Sequence, residues 1–404
     1  MTPSRPPRPS ARSPRGAAFS ALSALSALSA LSSAGCPDTT IPTLSAQRGD
    51  RVCSPSELQA FRDLSTAAER EDLWVAFVDV GQGDATWIRT PGARDLDAKD
   101  VLVDTGNCLI SSGDCGFSSN LNDGYDSNGV EALIAFMRES GWVEGSPIDY
   151  LVATHPDKDH YGGSWRVLDE YRVQRFVSSG IANEDKTYQT LLAKVAAEPG
   201  VVNMTPALEV GIDPATPGLR QTELWGRNVT ARLLSADRYA STDNAASVVL
   251  SLEFQGVRLL LTGDAEEALD ETLLSADLAR GASLLSSTVL KAGHHGGQGT
   301  NTQPFLDRVL TQPRKYAVVS AGRRDNLPAA DTVARLLDKV GEFGLYRTDR
   351  GDDAKDRSQS PGDDHVLMRV TPEGDLTLCY AYPDDVVDAP APAPLPAAGA
   401  PAEP

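Results

Sequence analysis

A chain of 404 residues with 41% hydrophobic side chains has room for one large domain and enough apolar material to bury its core. Its net charge of −19 at pH 7 excludes a surface that coats nucleic acid generally, which needs clustered Lys and Arg. Phosphate-bearing substrates stay open, because bound cations can reverse a local field.

In chain order, residues 1–36 read as an export signal. Arg5, Arg8, Arg12 and Arg15 form a basic start, and Gly16 to Cys36 carries no charge and repeats an Ala-Leu-Ser unit. A basic region, an apolar stretch and then small residues is the order of a secretory signal peptide. The serines make the stretch too polar for a membrane-spanning helix. Ser33-Ala34-Gly35-Cys36 resembles a bacterial lipobox, with Leu31 further from Cys36 than the usual motif has it. The expectation is an exported protein, periplasmic or extracellular, and a lipid anchor on Cys36 would make it a cell-envelope lipoprotein.

Residues 37–72 read as a tether with a short helix near Glu57–Arg70, and residues 73–383 as one domain of alternating strands and helices. Strands are expected at Leu73–Val80, running into Gly81-Gln82-Gly83-Asp84, then from Ala85, at Val101–Val103, Ile148–Ala153 and Arg175–Ser178. Val229–Leu234, Ser247–Phe254, Val257–Leu261, Thr288–Ala292 and Tyr316–Ser320 follow. Helices are expected at Asn128–Ser140, where Val130, Leu133, Ile134 and Met137 keep helical spacing, after Ser164, after Glu266, and at Thr332–Val340. Val366–Val370 and Leu376–Tyr380 read as a hairpin around Pro372-Glu373-Gly374-Asp375. The acidic stretch Asp349–Asp364 reads as a solvated insertion. The tail 384–404 is Ala/Pro-rich and cannot pack a core.

With Cys36 set aside, four cysteines remain, an even number that suits two disulfides in an oxidising compartment. Three pairings are open. The preferred one closes a local loop with Cys108 and Cys115 and staples the ends of the domain with Cys53 and Cys379.

Four of the five histidines fall in two clusters, Thr154-His155-Pro156-Asp157-Lys158-Asp159-His160 and Lys291-Ala292-Gly293-His294-His295-Gly296-Gly297. Each follows a strand, where a fixed backbone meets a loop that lets side chains converge. Imidazole nitrogen and carboxylate oxygen are what a divalent metal takes from a protein. His155, Asp157 and Asp159 at alternate positions can share a face while His160 turns to another, so one segment could feed two adjacent ions. Asp264, at the end of an apolar strand, could bridge them or cap the following helix. His365 has no such company and reads as a surface residue.

These motifs, with Asp79-Val80-Gly81-Gln82-Gly83-Asp84-Ala85, Val103-Asp104-Thr105-Gly106 and Thr262-Gly263-Asp264, resemble the metallo-β-lactamase superfamily. The His155 segment is similar to its H-x-H-x-D-H signature, with Asp157 in place of the middle His. The branch it resembles holds the metallo-β-lactamase-like domain of the DNA-uptake competence protein and its free-standing relatives. The resemblance spans roughly residues 73–380 and implies an α/β fold, the αβ/βα four-layer sandwich, with metals at one edge of two sheets. It implies one metal site from His155, Asp157 and bridging Asp264, and another from Asp159, His160, Asp264 and His294 or His295, with His294 preferred. Asp79, Asp84 and Asp104 would support those ligands or fix loops.

The chain also departs from the family. Members commonly place a His ahead of an Asp-Asn pair, whereas Ala240-Ser241-Thr242 precedes Asp243-Asn244 here. One site is thus a ligand short, and its oxygen-rich set shifts the preferred metal from zinc towards manganese. Gly297 stands where competence relatives often have Ser, and Asn326-Leu327-Pro328 lacks their His. The resemblance implies a metal-dependent hydrolase that attacks with metal-bound hydroxide, with Asp159 orienting the nucleophile and His295 protonating the leaving group. Its branch favours phosphodiesters, as nuclease or phosphodiesterase, with nucleic acid as one such substrate. Hydrolysis of another ester, amide or lactam is the alternative within enzymes, and a non-catalytic binding protein is the alternative outside them. The chain has no run of apolar segments for a transmembrane channel.

Overall fold

In a computed structural model of the chain, the residues described are 51–94, 96–108, 129–205, 225–279, 283–322, 327–349 and 364–381. The expectations for the leader 1–36, Cys36, Cys115, Asn326 and the tail 384–404 lie outside them.

Two mixed sheets build the fold. The eight-stranded sheet runs, edge to edge, Val202–Met204, Arg175–Ser178, Tyr150–Ala153, Asp100–Val103, Thr86–Arg89, Leu73–Phe77, His365–Val370 and Leu376–Ala381. Its first four strands are parallel and the rest antiparallel. The six-stranded sheet runs Thr230–Ser235, Val249–Phe254, Val257–Leu261, Val289–Lys291, Tyr316–Val319 and Leu345–Arg347, antiparallel over its first three strands and parallel thereafter.

Side-chain alternation sets the layers. On Leu73–Phe77, Leu73, Val75 and Phe77 pack in a core shared with Leu250, Leu252, Leu259 and Leu261 of the other sheet. Trp74 and Ala76 point the other way, onto Leu133, Ile134 and Met137 of the helix Gly129–Glu139. Leu260 and Leu290 likewise pack outward onto Leu269, Leu273, Phe305 and Leu336 of three helices. A strand buried on both faces has to be apolar at every position, and the five residues of Leu73–Phe77 are all buried. Three apolar seams between helix, sheet, sheet and helix make four layers, as the resemblance implied.

Residues 51–72, expected as a tether, pack onto the domain. A capping box between Ser54 and Glu57 starts the helix Pro55–Asp63, whose Phe61 lies against Trp74, Trp87 and Phe136. Cys53 is disulfide-bonded to Cys379 across 326 positions, the staple preferred from the sequence. Cys108 is disulfide-bonded too. One reading of the surface changes. His365 is buried, its Nδ1 accepting the Asp79 N–H at 3.0 Å and its ring 4.3 Å from Phe136. The acidic stretch lies outside the described residues except for its ends, Asp349 and Asp364, which are buried, with Asp349 paired to Arg347. No helix among the described residues is long and apolar enough to cross a membrane.

Candidate metal centre

Both histidine clusters sit at strand ends that face each other across the two sheets. The strand Tyr150–Ala153 delivers Thr154 and His155, and a short helix, Lys158–Tyr161, carries Asp159 and His160. From the other sheet, Val257–Leu261 delivers Asp264 and Val289–Lys291 delivers His294 and His295. Two glycines permit the approach. A Cβ on Gly83 would lie 2.5 Å from the Asp159 carbonyl oxygen, which accepts the Asp84 N–H. Gly263 holds φ at +53° directly before Asp264, with Ser247 and Thr154 against it.

Asp264 is the centre of the assembly. Its Oδ1 lies 3.2 Å from His160 Nε2, and its Oδ2 lies 3.7 Å from His155 Nε2 and 3.6 Å from His295 Nε2. His295 Nε2 is also 3.2 Å from Asp159 Oδ2, and His155 Nε2 is 3.3 Å from Asp157 Oδ2. The three Nε2 atoms and Asp264 Oδ1 are buried without a hydrogen bond. Leaving such atoms unsatisfied costs about 1–3 kcal/mol each. Convergent orphaned nitrogens and carboxylate oxygens are what one or two divalent ions would satisfy, so the residues present fit a metal.

The outer ring nitrogens are fixed from behind. His160 Nδ1 is 2.9 Å from Asp104 Oδ2, and Asp104 also accepts the N–H and hydroxyl of Thr154. His295 Nδ1 donates to the Ser320 carbonyl at 3.0 Å. Such bonds keep the lone pair on Nε2, facing inward. Asp84 clusters with His160, Asp264 and His295, yet it approaches both imidazoles from their Nδ1 sides, at 3.8 and 3.4 Å, and pairs with buried Lys291. It stands behind the rings, on their Nδ1 sides. Asp79 fixes its own loop by accepting the Gly81 N–H.

Charge follows this arrangement. Burial pushes the Asp264 carboxyl up, but His160, His295 and His155 outweigh it and hold the group well below its ordinary value. Burial opposes the protonated imidazole of His295, yet Asp264, Asp159 and Asp84 push it up to about 10, and His160 is raised well above its usual range by Asp264 and Asp104.

The two tandem histidines occupy positions opposite to those expected. His295, expected as the proton donor, is the buried ring against Asp159 and Asp264. His294, the preferred ligand of that second set, is 31% exposed at the cleft, with Nδ1 3.1 Å from Glu266 Oε1. The cleft itself holds about 690 Å³ and is lined by Asp157, Asp159, Asp185 and Asp243, with Lys158 beside them. Asn183 Nδ2 donates to Asp243 Oδ2 at 2.7 Å. Sequence reasoning missed Lys291, Glu266 and Asn301. Lys291 ends a wholly buried strand directly before a histidine pair, a signal that could have exposed it.

The metallo-β-lactamase superfamily profile matches residues 129–318, and the two mixed sheets have that superfamily's fold. The chain's relatives include ComE operon protein 3 of Bacillus subtilis strain 168, 29% identical over 278 residues, 68% of this chain and 32% of the relative. Recombination protein 2 of Haemophilus influenzae is 27% identical over 65% of this chain and 25% of its own length. Competence protein ComA of Neisseria gonorrhoeae is 26% identical over 70% of this chain and 32% of its own. The chain thus matches no more than about a third of the length of each of these relatives.

Proposed function

We propose that this chain is an exported, metal-dependent phosphodiesterase or nuclease. The observation that carries the proposal is the convergence of His155, His160 and His295 Nε2 on Asp264, all buried and without hydrogen bonds among protein groups. One ion would be held by Asp159, His160, His295 and Asp264, and another by His155, Asp157 and Asp264. A bound divalent ion supplies Lewis acidity and a water acidified to near neutrality.

The chain's own residues supply the rest. Asp159, partly exposed on the cleft floor, is placed to orient a nucleophilic water and accept its proton. The acidic lining repels a phosphodiester until cations reverse the field, so activity should depend strictly on metal. Relatives named for competence and recombination favour nucleic acid as the substrate class. Disulfides at Cys53–Cys379 and on Cys108 favour an oxidising compartment, which suits the leader and an anchor at Cys36.

The test is hydrolysis of single-stranded DNA and of a bis-aryl phosphate by metal-stripped protein, with manganese or zinc added back. Metal-dependent cleavage lost in an Asp159→Ala/His160→Ala variant is the expected result. Cleavage of carboxylic esters or lactams alone would shift the proposal to that substrate class, and inactivity with both metals would make the chain a binding module.

A further inference from the structure

No histidine stands directly before the Asp243-Asn244 pair, which leaves His155, Asp157 and Asp264 as a three-residue set for one of the ions. The structure brings a fourth donor to that side. His294 Nε2 lies 3.9 Å from Asp264 Oδ2, the same oxygen that stands 3.7 Å from His155 Nε2, while His155 Nε2 is 3.3 Å from Asp157 Oδ2. Donors that share an ion at about 2.0–2.2 Å lie roughly 3–4 Å from one another, and all three separations fall in that range. His155 Nε2 is fully buried and has no hydrogen bond, so this side also holds an orphaned nitrogen.

The other nitrogen of His294 faces a carboxylate without forming a hydrogen bond to it. Its Nδ1 lies 3.1 Å from Glu266 Oε1, and that oxygen accepts from Asn244 Nδ2 at 2.9 Å. A proton on Nδ1 would face that carboxylate and leave the lone pair on Nε2, towards Asp264, as behind most metal-ligating histidines. His295 Nε2 also lies 3.6 Å from Asp264 Oδ2, but its nearest carboxylate is Asp159, at 3.2 Å, and its Nδ1 donates to the Ser320 carbonyl.

The backbone accounts for the division. His294 and His295 both hold left-handed φ, 48° and 51°. A left-handed φ strains a non-glycine residue and persists only where its surroundings enforce it. Asn301 does so by accepting the Gly293 N–H and donating to the Gly293 carbonyl, at 3.1 and 3.2 Å. The Gly297 N–H closes the turn on the His294 carbonyl at 2.7 Å. The result is two neighbouring rings 6.1 Å apart and inclined at 69°.

We propose that the tandem histidines divide between two ions. His295 joins Asp159, His160 and Asp264, and His294 joins His155, Asp157 and Asp264, so His294 supplies the ligand missing ahead of Asp243. Glu266 is its positioning residue. The inference rests on the two-ion reading above.

Titration of the metal-free protein with cobalt(II), followed by visible absorption and equilibrium dialysis, tests it. The wild type should bind two equivalents. His294→Ala should keep one and weaken the other at least about 100-fold, and Glu266→Gln should weaken that same equivalent by roughly 10–100-fold. His295→Ala should retain the opposite ion, with a different spectrum. His294→Gly should lose the same equivalent as His294→Ala while its metal-free form unfolds at or above the wild-type temperature, since glycine adopts this φ freely. Two equivalents at wild-type affinity in His294→Ala would overturn the inference alone, as would identical residual spectra in the two histidine variants. A wild type that binds one equivalent overturns it too, and one that binds none overturns the two-ion reading with it.

Discussion

Asp264 Oδ1 and His160 Nε2 stand 3.2 Å apart, both buried, and neither makes a hydrogen bond. Two polar atoms so placed, one from each sheet, are brought together by the fold. His160 keeps its direction because Asp104 takes its other nitrogen at 2.9 Å.

Asp104→Asn should therefore weaken metal binding without removing a ligand. The amide still accepts from Thr154 but no longer holds the His160 Nδ1 proton as a carboxylate does. A loss of roughly 10–100-fold in affinity is expected, read by competition with a chelator of known strength. Wild-type affinity in the variant would show that Asp104 only supports the loop.

Metal binding should release protons. His295 is pushed up to about 10 and His160 well above its ordinary value, so protons on both are expected at pH 7 when no metal is bound. A ligand must lose its proton to bind, so apparent affinity should rise with pH through the neutral range, by about tenfold per unit for each proton displaced. Calorimetry in buffers of different ionisation enthalpy counts those protons. None released at pH 7 would mean that the imidazoles are already neutral.

The staple between Cys53 and Cys379 closes a loop of most of the domain. Cys53→Ser should lower unfolding stability by roughly 2–5 kcal/mol in denaturant titrations under oxidising conditions, with the fold retained. An unchanged midpoint would show that Phe61 and the Ser54–Glu57 capping box already fix that end.

Asp270 gives a pH-dependent term away from the metal centre. Burial pushes its carboxyl up to about 7, against the Thr302 N–H that it accepts at 3.0 Å. A group whose folded pKa is raised contributes stability that is full below its unfolded pKa and is lost as pH rises through the folded value. The window here runs from about pH 4 to pH 7. Asp270→Asn keeps the acceptor and removes the charge, so it should be more stable than the wild type at pH 8 by on the order of 1–4 kcal/mol, with the difference shrinking towards pH 4. Equal stability at both pH values would sink this reading.

Much of this was legible in the sequence, because the strands buried on both faces are continuous apolar runs and each ends in its polar cluster. Leu73–Phe77, Val257–Leu261 and Val289–Lys291 stand where the pattern placed them. The short strands Val202–Met204 and Leu345–Arg347 and the helix Lys186–Ala197 went unread, since their apolar content is low or brief. Local pattern could not show that His365 is buried or that residues 51–72 belong to the domain, because both depend on contacts far along the chain, His365 with Asp79 and Cys53 with Cys379. It could not tell His294 from His295 either. Their directions follow from two left-handed residues in a turn clamped by Asn301, and adjacent identical residues carry no mark of that.

The central claim is that the buried donors around Asp264 exist to hold metal. Metal-stripped protein should be dialysed to equilibrium against manganese or zinc at pH 8, and the bound ion counted per chain by elemental analysis, beside Asp264→Asn. Two equivalents in the wild type, with both weakened in the variant because Asp264 faces both donor sets, is the expected result. No bound ion in the wild type, or undiminished binding in Asp264→Asn, would contradict it.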